Sequence, residues 1–161
     1  MKRKKLQKIL RKFQRLPSHV MDTNILIEAL KDTKLGNICS DYLNRIGYKY
    51  RGFLCSSVLG EFLLHVLKDI KEPEERRFML EFIDKISRKT KCGYSSLKYE
   101  SFHIVDKIKE IDSRIEDMDA IHLANCIQDK ANVFVTLDEK LVSNTRLEKE
   151  FSIKILHPEK L

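Results

Sequence analysis

The sequence predicts an α/β protein, a three-layer α/β/α arrangement around a central parallel sheet of four to five strands, preceded by a basic amphipathic helix. Three observations lead there. Short apolar runs bounded by polar corners alternate with longer segments whose apolar residues recur every three or four positions, the order of parallel strands joined by crossover helices. The chain has 161 residues, 42% hydrophobic and 34% charged, enough for one domain with a buried sheet and little more. The charge is also unevenly placed. Of a formal net +7, residues 1–15 hold eight Lys or Arg and no acid, which leaves residues 16–161 with 23 basic against 24 acidic side chains. A nearly neutral body with a cationic extension assigns the extension to a polyanion and leaves the body another task. Residues 1–16 are accordingly expected as an arm and residues 17–161 as the domain.

In the arm, Leu6, Ile9, Leu10, Phe13 and Leu16 recur at helical spacing, and Pro17 ends the pattern. Lys2, Arg3, Lys4, Lys5, Lys8, Arg11, Lys12 and Arg15 fill the other face. Such a helix has three uses: docking its apolar stripe on the domain, lying on an anionic membrane, or bringing cations to RNA phosphates. Residues 19–21 read as the first strand, and 24–30 and 36–46 as helices broken at 31–34. Residues 53–56 read as a short buried strand, with Ser56 and Ser57 as candidate N-caps of a helix running through residue 68. Pro73 opens a further helix whose apolar face is Phe78, Met79, Phe82, Ile83 and Ile86. Residues 93–97 form a weak strand pattern, 99–111 and 118–128 are helical, and 133–137 is the clearest strand. Residues 139–151 are mostly helical, and 153–156 is a last short strand before Pro158.

Cys39, Cys55, Cys92 and Cys126 lack CxxC spacing and read as free thiols of a reducing compartment. The basic start is not followed by an unbroken apolar run, and the most apolar stretch, residues 53–67, is too short to span a bilayer and contains Glu61. The expectation is a soluble cytoplasmic protein with no membrane partner.

Four acids stand where packing does not explain them. Asp22 closes the first strand and Asp138 the strand at 133–137, so both belong to the carboxyl rim of the sheet, where open parallel sheets bind ligands. Glu61 is a lone carboxylate in an otherwise uncharged helical stretch, and its burial there calls for a cationic partner. Asp119 lies in the first turn of DAIHLANCI, with Asp117 as its rival. Carboxylates gathered in this way are tolerable around a divalent cation, and all-oxygen ligands suit Mg²⁺ or Mn²⁺ rather than Zn²⁺. Each acid also has a plainer reading: Asp22 as an Asx-turn residue, Asp117 or Asp119 as an N-cap, Asp138 as the start of a turn, Glu61 as the partner of a lysine. His122 reads as a packed or supporting residue rather than a base. The other histidines show no ligand spacing, and the chain has no GxSxG, P-loop or GxGxxG.

In order and approximate spacing, MDTNILIEAL, SSVLGEFLLHV, DMDAIHLANCI, NVFVTLDEKL and IKILHPEKL resemble the PIN-domain ribonucleases, most closely the VapC-type toxins. The resemblance covers about residues 19–161 and leaves out the arm. It implies a PIN-like fold and metal-dependent endoribonuclease activity on RNA, with Asp22, Glu61, Asp119 and Asp138 as catalytic metal ligands and Asn24 and Thr136 in support. It also implies Mg²⁺ or Mn²⁺, a homodimer and a small antitoxin partner. The eight basic residues of the arm are the candidate RNA contacts. The alternative is a PIN-fold protein that binds RNA or the ribosome and cleaves nothing. A phosphoryl-acceptor role for Asp22 fits poorly, because MDTN lacks the second aspartate of a DxD motif and leaves Glu61 without a task.

Overall fold

In the computed structural model, which describes residues 2–88 and 92–161 and side chains from residue 5 onward, the chain folds around one five-stranded sheet. The strands are β1 Ser18–Met21, β2 Arg51–Cys55, β3 Cys92–Ser95, β4 Val133–Val135 and β5 Lys154–Leu156, in the order β3-β2-β1-β4-β5. All neighbours are parallel: Val20 is in register with Phe53 on one side and Phe134 on the other. All four residues of β1 are buried, as a central strand covered on both faces requires.

The chain first builds outward from β1 through β2 to β3, then returns to the other side of β1 for β4 and β5. The winding therefore reverses between β1 and β4. At such a reversal the connections leave in opposite directions and open a crevice at the carboxyl ends of the two strands. Asp22 follows β1 and Asp138 lies three residues beyond β4, so sequence order and winding together bring two acids to that crevice.

The helices are α1 Lys2–Gln14, α2 Thr23–Glu28, α3 Lys34–Asn44, α4 Ser56–Asp69, α5 Pro73–Arg88, α6 Ser101–Ile111, α7 Asp117–Gln128, α8 Glu139–Val142 and α9 Thr145–Phe151, with a 3₁₀ turn at Pro158–Lys160. α4 turns Val58, Phe62 and Val66 inward at four-residue spacing, and α7 buries Ala120, Leu123 and Ala124. These meet Val20, Met21, Leu54, Phe134 and Val135 of the sheet in one continuous core.

One expectation about a helix end is corrected. The cap position of α4 is Cys55, in extended conformation, and neither serine caps the helix. Ser56 Oγ instead accepts from the Leu97 backbone N–H at 2.9 Å, tying the loop after β3 to the start of α4, and Ser57 is drawn into the site described below. The segment 139–151 is two helices because the Asn144 side chain accepts from Leu147 N–H at 3.2 Å and starts α9 afresh. Gly36 is required by a close approach: a Cβ there would collide with the Lys31 carbonyl oxygen.

α1 leaves much of its apolar stripe in solvent, with Leu6, Ile9 and Leu10 at 50–58% exposure. Its end is closer to the body: Phe13 and Leu16 are half-buried and line a shallow groove with Gly47 and Tyr48. Arg51 fastens the junction by donating to the Leu16 and Pro17 carbonyls. Cys39, Cys55 and Cys126 are free, buried thiols. Among the described residues no helix is long and apolar enough to cross a membrane.

Candidate metal centre

Asp22 is positioned by backbone first. Its N–H donates to the Val135 carbonyl at 2.9 Å, extending the β1–β4 pairing one residue past the strand, and the residue then starts α2. Its side chain does not cap that helix. Instead Oδ2 accepts from Thr136 Oγ1 at 2.7 Å, and the same threonine oxygen accepts from the Asp138 backbone N–H at 3.1 Å. Thr136 thus joins the two strand ends that flank the crevice. Asp22 is only 1% exposed, and burial pushes its carboxyl above the usual range, opposed chiefly by the Thr136 hydroxyl.

Glu61 enters from α4, where its side chain is 38% exposed, so the expectation of a deeply buried glutamate is corrected to a half-buried one. Its partner is His122 of α7, fully buried, with Nε2 at 2.8 Å from Glu61 Oε2. That hydrogen bond holds the Glu61 carboxyl below its ordinary range. His122 Nε2 also lies 3.3 Å from Thr23 Oγ1 and 4.0 Å from Asp22 Oδ1. Among the described residues, Asp22, Glu61 and His122 form a group whose potential ligand atoms all lie within 4.8 Å of one another.

Asp119 and Asp138 stand outside that tight group but within its field. Burial, then the charges of Asp22 and Asp138, push the Asp119 carboxyl up to about 6. Asp117 behaves differently: it is exposed and pairs with Lys109 at 2.8 Å on the outside of the fold. Asp138 also performs the plain turn role, with Oδ1 accepting from Lys140 N–H at 2.8 Å as the cap of α8. Asn24 is exposed in the first turn of α2, and no hydrogen bond described around the acids involves its side chain.

The residues present fit a hard divalent cation. Asp22 and Glu61 offer carboxylate oxygens a few ångströms apart, Asp22 carries a desolvation penalty that a cation would relieve, and Asp119 and Asp138 add negative potential. Sequence reasoning did not find Thr23, Ser57 and Asn125. Ser57 Oγ lies 2.9 Å from His122 Nδ1 and accepts from Asn125 Nδ2 at 3.0 Å. The signal available was spacing: Ser57 precedes Glu61 by four residues on α4, and Asn125 follows His122 by three on α7, so each shares a helix face with a member of the cluster.

Comparison with known families matches residues 20–147 to the PIN domain. Among solved structures, the fold is similar to VapBC2 from Rickettsia felis bound to a DNA fragment from their promoter, with TM-score 0.63 and 16% identity over 87% of this chain and 98% of that one. It is likewise similar to FitAcB from Neisseria gonorrhoeae, with TM-score 0.65 and 14% identity over 89% and 99%. A toxin-antitoxin complex from Klebsiella pneumoniae matches with TM-score 0.58 and 14% identity over 87% and 97%. A sequence comparison with curated proteins found no significant match.

Proposed function

Given that the chain belongs to the PIN-domain family, we propose that it is a metal-dependent endoribonuclease that hydrolyses RNA phosphodiester bonds in the manner of VapC-type toxins. The observation that carries this reading is the approach of Asp22 and Glu61 at the reversal of a parallel sheet, with potential ligand atoms within 4.8 Å, and with Asp138 and Asp22 near enough to Asp119 to raise its carboxyl. Mg²⁺ or Mn²⁺ held by these four acids would supply Lewis-acid chemistry, acidifying a water and offsetting charge on the phosphate and the leaving oxygen. The chain's own residues prepare for it. Thr136 fixes Asp22 against rotation, and the half-buried position of Glu61 keeps that carboxylate open to the crevice. Asp119, whose carboxyl is raised to about 6 by burial and by the neighbouring carboxylates, would be favoured in its ionised form by a cation placed among them. No nucleophilic side chain is needed.

The RNA would be single-stranded or looped. Lys5, Lys8, Arg11, Lys12 and Arg15 are exposed along α1 and, with Lys2, Arg3 and Lys4, whose side chains lie outside the described residues, would add phosphate affinity that weakens with salt. The similarity to toxin-antitoxin complexes supports a small antitoxin partner, and a cytoplasmic homodimer completes the proposal. A second reading, a PIN fold that binds RNA or the ribosome without cutting, has one observation in its favour: His122 already occupies Glu61 at 2.8 Å. Incubating a labelled RNA pool with parent and Asp22→Asn protein, with Mn²⁺ or chelator, and sequencing the cut ends separates the two. The nuclease reading requires Mn²⁺-dependent cuts that disappear in the variant. Equal cutting by both proteins, or none by the parent, refutes it.

A further inference from the structure

A chain of polar side chains runs behind Glu61 that neither metal binding nor core packing explains. His122 is fully buried, yet both ring nitrogens are engaged: Nε2 with Glu61 Oε2 at 2.8 Å, Nδ1 with Ser57 Oγ at 2.9 Å. Ser57 Oγ in turn accepts from Asn125 Nδ2 at 3.0 Å, and the Asn125 carbonyl oxygen faces Ser101 Oγ at 3.5 Å. Asn125 and Ser101 are each about 1% exposed, so water has little part in their hydrogen bonding. Buried polar groups of this kind persist when each donor meets an acceptor.

Counting protons along the chain leaves one arrangement. The Glu61 carboxylate, 2.8 Å from the ring, has only acceptors to offer, so Nε2 must carry a hydrogen. Asn125 Nδ2 can only donate, so Ser57 Oγ uses a lone pair toward it and has its own hydrogen left to give. Among the described residues that hydrogen has one acceptor within reach, His122 Nδ1. Placing a second hydrogen on Nδ1 would set two donors against Ser57 and leave its hydroxyl hydrogen without a partner. We propose that Asn125 and Ser57 are positioning residues that lock His122 in the neutral Nε2–H tautomer, and that His122 thereby holds one oxygen of Glu61 and leaves the other directed at the cation. The proposal rests on the metal-site reading for its consequence, though not for the tautomer itself.

The lock makes Asn125 the informative position. In Asn125→Asp the new carboxylate accepts the Ser57 hydrogen, Ser57 turns a lone pair to the ring, and Nδ1 takes up a second hydrogen, so that both ring nitrogens donate. The resulting imidazolium pairs with Glu61 and competes with a cation for its carboxylate. Simple electrostatics predicts the opposite for metal affinity, because an added negative charge near the site should strengthen cation binding.

The test uses the full chain with ¹⁵N-labelled histidine and no metal, reading the His122 ring nitrogens by long-range ¹H–¹⁵N correlation, followed by calorimetric titration with Mn²⁺. The parent should carry its hydrogen on Nε2 alone and the Asn125→Asp protein hydrogens on both nitrogens. Ser57→Ala and Asn125→Asp should weaken Mn²⁺ binding by about 10- to 100-fold, the usual effect of removing a group that orients a ligand. Ser57→Thr keeps the hydroxyl and should retain both the parent tautomer and its affinity. A parent spectrum with the hydrogen on Nδ1 or on both nitrogens overturns the proposal and needs no variant to fold. So does a variant that loses the Nε2–H tautomer yet binds Mn²⁺ as the parent does. A protein that meets every expectation here but cuts no RNA would refute the nuclease reading and leave the lock standing.

Discussion

At the scale of single residues, the site is a set of carboxylates carried at a cost. Asp119 shows it most plainly. Its ordinary value of 3.8 rises to about 6 in the fold, first through burial and then through Asp22 and Asp138. A raised carboxyl means that between these values the folded protein holds a proton that the unfolded chain has released. Stability from this group is therefore complete below pH 3.8 and is lost as pH rises through about 6. Thermal melts of metal-free protein should show a midpoint that falls across this window, with a smaller fall in Asp119→Asn and a smaller fall in the parent when Mn²⁺ is present. An unchanged slope in the variant would show that Asp119 does not feel the cluster. The acids were legible in the sequence because each stands where packing has no use for it. Their supports were not: Ser57 looked like a cap and His122 like a packed ring, since one sequence does not say that α4 and α7 face each other across Glu61.

At the scale of elements, chemistry follows from the reversal between β1 and β4. The alternation of strand and helix patterns predicted a parallel sheet of four to five strands, and five are present. Strand order was not readable, because it depends on which side of β1 each crossover packs, and that is decided by contacts distant in sequence. Thr136 carries the consequence, since its hydroxyl joins Asp22 at the end of β1 to the Asp138 backbone beyond β4. Replacing it by valine keeps the shape and removes both bonds. Thr136→Val should lose about 1–3 kcal/mol of stability, the range for a hydrogen bond to a buried or charged group, and should bind Mn²⁺ more weakly, while Thr136→Ser should recover most of both. Denaturant unfolding with parallel metal titration checks this, and a fully stable valine variant would mean that the threonine does not join the two strand ends energetically. The split of residues 139–151 into α8 and α9 had a visible sign in Asn144, a good N-cap residue within a continuous helical pattern.

At the scale of the whole molecule, the basic arm and the acidic site lie toward opposite ends of the sheet. α1 leads into the amino end of β1, and four residues of strand, roughly 13 Å at 3.3 Å per residue, separate that point from Asp22. In the proposed reading the arm would hold RNA at a distance from the cut rather than take part in it. Deleting residues 1–15 should lower RNA affinity and flatten its dependence on salt while leaving Mn²⁺ affinity as it was. Loss of folding on deletion would instead make the half-buried Phe13 part of the core. The uneven charge was open to reading from the sequence alone. Where the arm joins the sheet was not, because that depends on the direction in which β1 runs relative to its neighbours.

The proposed nuclease activity depends on a divalent cation held among Asp22, Glu61, Asp119 and Asp138. Calorimetric titration of the metal-free full chain with Mn²⁺, beside Asp22→Asn checked for folding by its melting curve, tests this most directly. The parent should bind saturably, and the variant should lose affinity by about 100-fold or more, beyond the 10- to 100-fold typical of a merely supporting group. Equal affinity in the two proteins, or no binding by the parent, would contradict a metal centre built on Asp22.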